Sequence, residues 1–391
     1  MHLQLADRTL RVKPSATLAV AAKAAQLRSQ GIDIIDLGLG EPDFDTPQLV
    51  KQAAIDAVNA GFTKYTPVDG IPELKQAIIH KFMRDNQLTY TPKQILVSVG
   101  AKHSLYNLTQ ALLNAGDEVI VPAPYWVSYP EFARLADAEP VFIKADIKQD
   151  FKITATQLSS AITSKTRLIF LNSPSNPTGV TYTLDELKAL GEVLRLHPHI
   201  IIATDDIYEH IFWGNEPFAN ILNACPYLYD RTVVINGMSK AYAMTGWRIG
   251  YAAGPEVLIQ AMNKIQSQST SNPCAIAQKA SVAALNMELG LIKDMVQAFK
   301  ARHDYIVQAI NEIPGLACVP AQGAFYAFIH AQEYMDAHNM ADDIELANFL
   351  TEKAHVAMVP GSAFGLPGYL RLSYATSMEK LKEAVRRIKA A

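Results

Sequence analysis

Cysteine is scarce: Cys225, Cys274 and Cys318 are the three in 391 residues, far apart and outside any CxxC pattern. They offer no disulfide framework and read as reduced core or surface thiols, as expected of a cytoplasmic protein. No segment approaches the roughly 18–20 apolar residues of a membrane-spanning helix. The opening residues, MHLQLADR, lack the apolar core of a signal peptide. Neither sign of charge is in excess. With 35 Lys+Arg against 38 Asp+Glu the formal net charge is −3, so no basic surface calls for nucleic acid and no polybasic arm for a membrane. A Walker loop, a GxGxxG and a Ser/His/Asp arrangement are missing, and His197 and His199 stand without the carboxylates or spacing of a metal site.

Apolar material is plentiful. At 49% hydrophobic and 19% charged, the chain can build a sizeable core, and its length predicts two domains or three. Ser15 to Gln30 is Ala-rich and helix-like, and residues 32–37 alternate toward a short strand. From about Thr46 to Leu285 strands alternate with helices. Strand candidates are 94–99, 118–121, 140–143, 167–171, 200–204, 232–235 and 249–253, with apolar residues at helical spacing in stretches such as Leu184 to His197. Continuous apolar strands separated by helices predict a mostly parallel sheet covered on both faces. After Asn286 the rhythm changes to a long amphipathic helix through about Ile313, short strands near 324–329, 357–359 and 369–373, and a closing helix from Ser377. The reading is a large α/β domain over 46–285 and a smaller α+β domain from 1–45 and 286–391.

The chemistry-bearing segments sit mostly just past strands. Residues 236–251, NGMSKAYAMTGWRIGY, place Lys240 among small residues with Arg248 eight positions on. A lysine so held can be desolvated, which lowers its pKa and lets its neutral amine attack a carbonyl. The planar fork of Arg248 suits a phosphate; two solvated surface cations are the plainer alternative. Residues 172–179, NSPSNPTG, fix a tight loop in which Asn176 can offer its amide, or they form only a turn. Asp205 ends a strand and is either a helix N-cap or, with Tyr208, one edge of a flat ligand's site. Gly100, Ala101 and Lys102 open a helix whose N–H groups could bind phosphate. Trp126 is core or a stacking surface. Arg371 alternates with apolar neighbours on a strand, so it wants a buried anion, for which a structural carboxylate is the ordinary partner.

Taken in order, GEPDF (40–44), NPTG (176–179), DxxY (205–208) and GMSKxxAMxGxRIG (237–250) resemble class I aminotransferases, pyridoxal 5'-phosphate enzymes of fold type I. The likeness runs from about Val12 to the C-terminus. It is greatest to bacterial aspartate aminotransferases of the branch that includes prephenate aminotransferases, with support from residues 11–17, 64–67, 123–130 and 361–365. The resemblance implies that Lys240 anchors the cofactor covalently and that Asp205 pairs with its ring nitrogen. Asn176 and Tyr208 match donors to the ring oxygen, and Trp126 the stacking aromatic. Arg248 and the backbone at Gly100–Lys102 match the phosphate cup. Tyr65 resembles a tyrosine that reaches the neighbouring subunit's phosphate, implying a homodimer. Arg371 resembles the grip on the substrate α-carboxylate, with Gly40, Trp126 and Asn176 beside it.

Two departures stand out. Gly237 occupies a position where the family often has Ser, leaving Ser239 as the nearby hydroxyl at the phosphate. No Arg lies between Arg248 and Arg302, where animal-type enzymes carry one for the distal carboxylate; Lys102 is the natural substitute. Lys13 resembles a position linked to prephenate use. The implied activity is ping-pong transfer of an amino group between aspartate or glutamate and 2-oxoglutarate or oxaloacetate, with prephenate a further acceptor. The alternative is an aminotransferase for methionine, kynurenine, alanine or aromatic amino acids.

Overall fold

The computed structural model describes residues 3–391; the first two residues of the segment assigned to the small domain lie outside them. Twelve strands form among the described residues. They are β1 (Ile35–Asp36), β2 (Ile95–Ser98), β3 (Glu118–Ala123), β4 (Glu139–Lys144), β5 (Thr166–Asn172), β6 (Ile201–Asp205), β7 (Thr232–Gly237), β8 (Gly250–Ala253), β9 (Tyr326–His330), β10 (Val356–Ala357), β11 (Val359–Pro360) and β12 (Tyr369–Ser373). The seven from β2 to β8 build one sheet in the order β2-β8-β7-β6-β5-β3-β4. Each expected strand of this sheet is present, with bounds shifted by at most two residues. Only β8 runs antiparallel to its neighbours.

Strand alternation explains why these runs are apolar throughout. Ile95, Val97, Ile169, Leu171 and Val234 join one core cluster, while Leu96, Leu168, Phe170, Val233 and Ile235 join the other on the opposite face. The second face is covered by the helices Ala101–Leu112 and Glu256–Ser267, through Leu105, Leu108, Ile259 and Met262. The first is covered by helices that include Leu184–Arg195 and Ala275–Asn286. Fully burying each such side chain is worth about 1.5–3 kcal/mol. The helix Leu184–Arg195 starts where a capping box forms: Thr183 Oγ1 accepts from Glu186 N–H at 3.2 Å, and Glu186 Oε2 accepts from Thr183 N–H at 2.7 Å.

Parallel strands bring their carboxyl ends to one edge, where α/β sheets place ligands. The turns after β2, β3, β5, β6 and β7 gather there, and antiparallel β8 begins at that same edge, which returns Arg248 to it.

The remaining strands form two small sheets. β1 pairs with β10 in parallel, and β11-β12-β9 form an antiparallel sheet. Three expectations are corrected here. The long helix does not begin at Asn286: Met287 is extended and buried in the core, a short turn spans Leu289–Ile292, and the helix runs Lys293–Asn311. The single strand expected at 357–359 is two strands in two sheets, because the chain passes from β1's partner to β12's partner at Met358. The strand expected from Ala324 begins at Tyr326, since Ala324 has φ +58° and leaves extended geometry. The closing helix is Met378–Ala390, capped by Ser377. No described helix is long and apolar enough to cross a membrane.

Candidate active site

The turns at the sheet edge enclose a cleft of about 420 Å³ whose lining includes Gly40, Lys102, Trp126, Asn176, Asp205, Tyr208, Ser239, Lys240, Arg248 and Arg371. Four cations, Lys102, Lys240, Arg248 and Arg371, face two carboxylates, Glu41 and Asp205. None of the four cations forms an ion pair among the described residues, although the chain as a whole is slightly acidic. An unpaired cationic cleft is built for a ligand with more than one anionic group.

Arg371 is the most constrained of the four. It lies on β12 with 1% of its surface exposed. Its guanidinium donates from Nη1 to Asn176 Oδ1 at 3.0 Å and from Nη2 to the Gly38 carbonyl, while Nε has no partner. The rings of Tyr326 and Phe364 flank it, with centroids 4.7 and 4.9 Å from Cζ. The structural carboxylate expected as an ordinary partner is absent; Asp36, whose field reaches it, pairs with Arg28 instead. Burial pulls the Arg371 pKa below its usual value. The Gly40 carbonyl, expected beside Arg371, is taken by Lys240 Nζ.

Lys240 sits in the loop past β7, its ammonium near the rings of Phe325 and Tyr208 at 5.7 and 5.8 Å. Burial first, and then the positive charges of Arg371 and Arg248, lower its pKa to about 8. Asp205 closes the cleft floor at the end of β6. Its Oδ2 accepts from Tyr129 Oη at 2.7 Å and its Oδ1 from Ile207 N–H at 3.3 Å. Burial raises its pKa to about 6, with both hydrogen bonds and Lys240 opposing. The N-cap alternative falls away, because the next helix starts only at Ile221 and is capped by Asn220. Tyr208 shares a 2.8 Å hydrogen bond with Tyr326 Oη.

At the other end of the cleft, Gly100 (φ +84°) opens the helix Ala101–Leu112, and a Cβ there would overlap the Arg248 guanidinium. The N–H groups of His103 and Ser104 turn back to Gly100 O, whereas those of Ala101 and Lys102 find no acceptor among the described residues. Arg248 is held by Thr245 O at 2.8 Å and Val99 O at 3.4 Å. Lys102 Nζ lies 5.1 Å from the Trp126 ring, its pKa lowered by burial and by Arg248. Trp126 meets Tyr129 and Phe132 edge-on and keeps one side toward the cleft.

Two expected residues lie elsewhere. Lys13 is exposed and lines a neighbouring cavity of about 770 Å³, which it shares with Lys102. Tyr65 is 92% exposed on the surface, so one chain does not bring it to the cleft. Gly237 is explained by packing: a Cβ would press on the Gly250 backbone across the β7–β8 pair. Ser239 does line the cleft. Sequence reasoning missed Tyr129, Asn172 and Tyr326. Asn172 accepts from Asn176 N–H at 2.8 Å and donates to Asp205 O at 2.8 Å. Asn172 opens the NSPSNPTG loop, a signal that was available; Tyr129 and Tyr326 carried none.

A seven-stranded, mostly parallel sheet with this cationic cleft at one edge is the fold type I architecture. A family model described as "Aminotransferase class I and II" matches residues 32–388, and the chain belongs to that family. The chain is 55% identical to an aspartate/prephenate aminotransferase of Nitrosomonas europaea, covering 99% of each. It is 50% identical to an aspartate aminotransferase of Geobacillus stearothermophilus, over 99% of this chain and 98% of the relative. Among solved structures, the aspartate aminotransferase of Rhizobium meliloti superposes with TM-score 0.95 at 46% identity, over 100% of this chain and 99% of that one. The Thermus thermophilus aspartate aminotransferase with maleate gives 0.93 at 43%, over 100% of both chains.

The neutral amine is the reactive form of Lys240, so its reaction with an aldehyde should rise with pH. In protein stripped of small molecules, trapping with borohydride is expected to give a midpoint of about 8. A midpoint near 10.5 would mean that the amine is solvated like any surface lysine.

Proposed function

We propose that this chain transfers the amino group of aspartate or glutamate to 2-oxoglutarate or oxaloacetate, with pyridoxal 5'-phosphate as cofactor and prephenate as a further acceptor. The observation that carries this is Arg371, a buried guanidinium with no carboxylate of its own. An amino acid's α-carboxylate supplies the missing anion. The maleate in the Thermus thermophilus structure, a dicarboxylate, supports the same class of ligand.

The cleft fits the cofactor. The unpaired N–H groups of Ala101 and Lys102 with Arg248 would hold a phosphate, assisted by Ser239. Asp205 would keep the proton on the ring nitrogen, Asn176 and Tyr208 would face the ring oxygen, and Trp126 would cover the ring. Lys240 would be the covalent anchor. When bound, pyridoxal phosphate supplies an electron sink for the carbanion at the amino acid's Cα. Arg371 fixes the α-carboxylate, which orients the Cα–H bond toward Lys240. The Lys240 amine would take the proton from the amino acid's Cα as base and then return it as acid. Order is ping-pong: one amino acid leaves as its 2-oxo acid before another 2-oxo acid enters.

Lys102 is assigned to the distal carboxylate. It bridges the cleft and the larger cavity, where Lys13 stands further out and suits the second carboxylate of a bulkier acceptor such as prephenate. Residues 46–285 are taken as the cofactor-binding domain and 1–45 with 286–391 as the smaller one. The sheets support this division, since β2 to β8 lie within the first and β1 and β9 to β12 within the second. The working unit is a homodimer. Tyr65 is 92% exposed, and Ile55 and Val58, three apart on one side of the preceding helix Gln48–Asn59, are each half exposed, as apolar surface a second copy would cover.

Purified holoenzyme should be yellow and change colour on adding aspartate, and Lys240→Ala should lose turnover entirely; full activity in that variant would end this mechanism. Lys102→Ala is expected to raise KM for aspartate by roughly 10-fold or more, the loss of one charged contact of about 1.5–3 kcal/mol, and to leave an apolar amino acid nearly unaffected. Equal effects on both would remove Lys102 from specificity. Sedimentation equilibrium should give twice the chain mass, and a fully active monomer would refute the shared site.

A further inference from the structure

Outside the cleft, a buried polar cluster ties together the two segments that carry its key residues. Lys81, at the end of the helix Pro72–Lys81, is 1% exposed. Its ammonium pairs with Glu209 Oε1 and donates to Asn86 Oδ1 at 2.7 Å. Glu209 Oε1 also accepts from Asn236 Nδ2 at 2.6 Å, and Oε2 from Asn86 Nδ2 at 2.8 Å. Asn236 Oδ1 in turn accepts from Gly237 N–H at 2.7 Å. None of Lys81, Asn86, Glu209 and Asn236 lines the cleft.

The sequence positions matter. Glu209 follows Tyr208 directly and Asp205 by four residues. Asn236 precedes Lys240 by four. One carboxylate therefore binds the exit of β6 to the exit of β7 from behind, with Lys81 as its counter-charge. A buried ion pair of this kind adds little net stability over apolar groups of the same shape, because desolvation offsets the attraction. Holding geometry is the use that remains.

We propose that Glu209 is a positioning residue for transamination, fixing where the Lys240 loop stands relative to Asp205 and Tyr208. This rests on the function proposed above. A displacement of about 1 Å at a reacting group can cost about 10²-fold in rate. Glu209→Gln removes the charge and presents an amide N–H₂ to a neighbour that needs an acceptor. Its holoenzyme is expected to lose about 10–100-fold in kcat. KM for aspartate should change less than about 3-fold, because Arg371 is untouched, and that split separates a positioning role from general loosening. The visible circular dichroism of the bound cofactor, which reports its fixed orientation, should weaken.

Asn236→Ala keeps the Lys81–Glu209 pair and removes the tie from Glu209 to the end of β7, along with the acceptor for Gly237 N–H, so it serves where Glu209→Gln fails to fold. It should move kcat and the dichroism in the same direction. Folded variants with wild-type kcat and dichroism would overturn the proposal, as would a rise in KM matching the fall in kcat. The function itself fails separately: wild-type protein would then show no aspartate-dependent colour change.

Discussion

A guanidinium sealed from water with no carboxylate beside it sets the terms for this cleft. Desolvating such a charge costs several kcal/mol. Two hydrogen bonds, to Asn176 and Gly38, and two flanking rings, Tyr326 and Phe364, return part of that. The partners come from distant parts of the chain. Asn176 follows β5 of the large sheet, Gly38 follows β1, and Arg371 with Tyr326 comes from the small antiparallel sheet. The setting of Arg371 therefore exists only when all three parts are assembled. Nε, buried, is left without a partner.

The second constraint is the reversed strand. Were β8 parallel like its neighbours, its start, with Arg248, would lie at the opposite edge of the sheet. Antiparallel pairing with β2 and β7 brings that start against the beginning of the helix Ala101–Leu112. The approach is so close that neither Gly100 nor Gly250 has room for a Cβ. Those two glycines are requirements of contact between Arg248, β8 and the start of that helix. Gly237 belongs to the same packing, since a Cβ there would press on the Gly250 backbone.

Much of this was legible in the sequence, for reasons that differ by residue. The seven central strands were readable because strands buried on both faces are apolar without interruption. Lys240, Asp205 and Asn176 were readable because each sits in a short run of unusual residues at the end of such a strand or just past it. Tyr129 and Tyr326 were not, since a tyrosine among apolar residues looks like core until its hydroxyl is seen to meet Asp205 or Tyr208. The split of 356–360 into two sheets was hidden because strands of two residues carry no periodicity. Tyr65 lies on the surface, 92% exposed, and its residue type gave no sign of that.

The cations also act on one another. Lys240 owes part of its lowered pKa to Arg371 and Arg248, after burial itself. An anion bound at either arginine cancels that repulsion, so the amine becomes more basic once a phosphate and a carboxylate are in place. Without those anions, a pKa of about 8 leaves roughly a tenth of the amine neutral at pH 7, against well under a thousandth for a lysine near 10.5. An anion at Arg371 would make the same amine a stronger base. Leaving Arg371 and Arg248 without carboxylates of their own therefore makes room for two anions and also lets those anions retune the lysine between them.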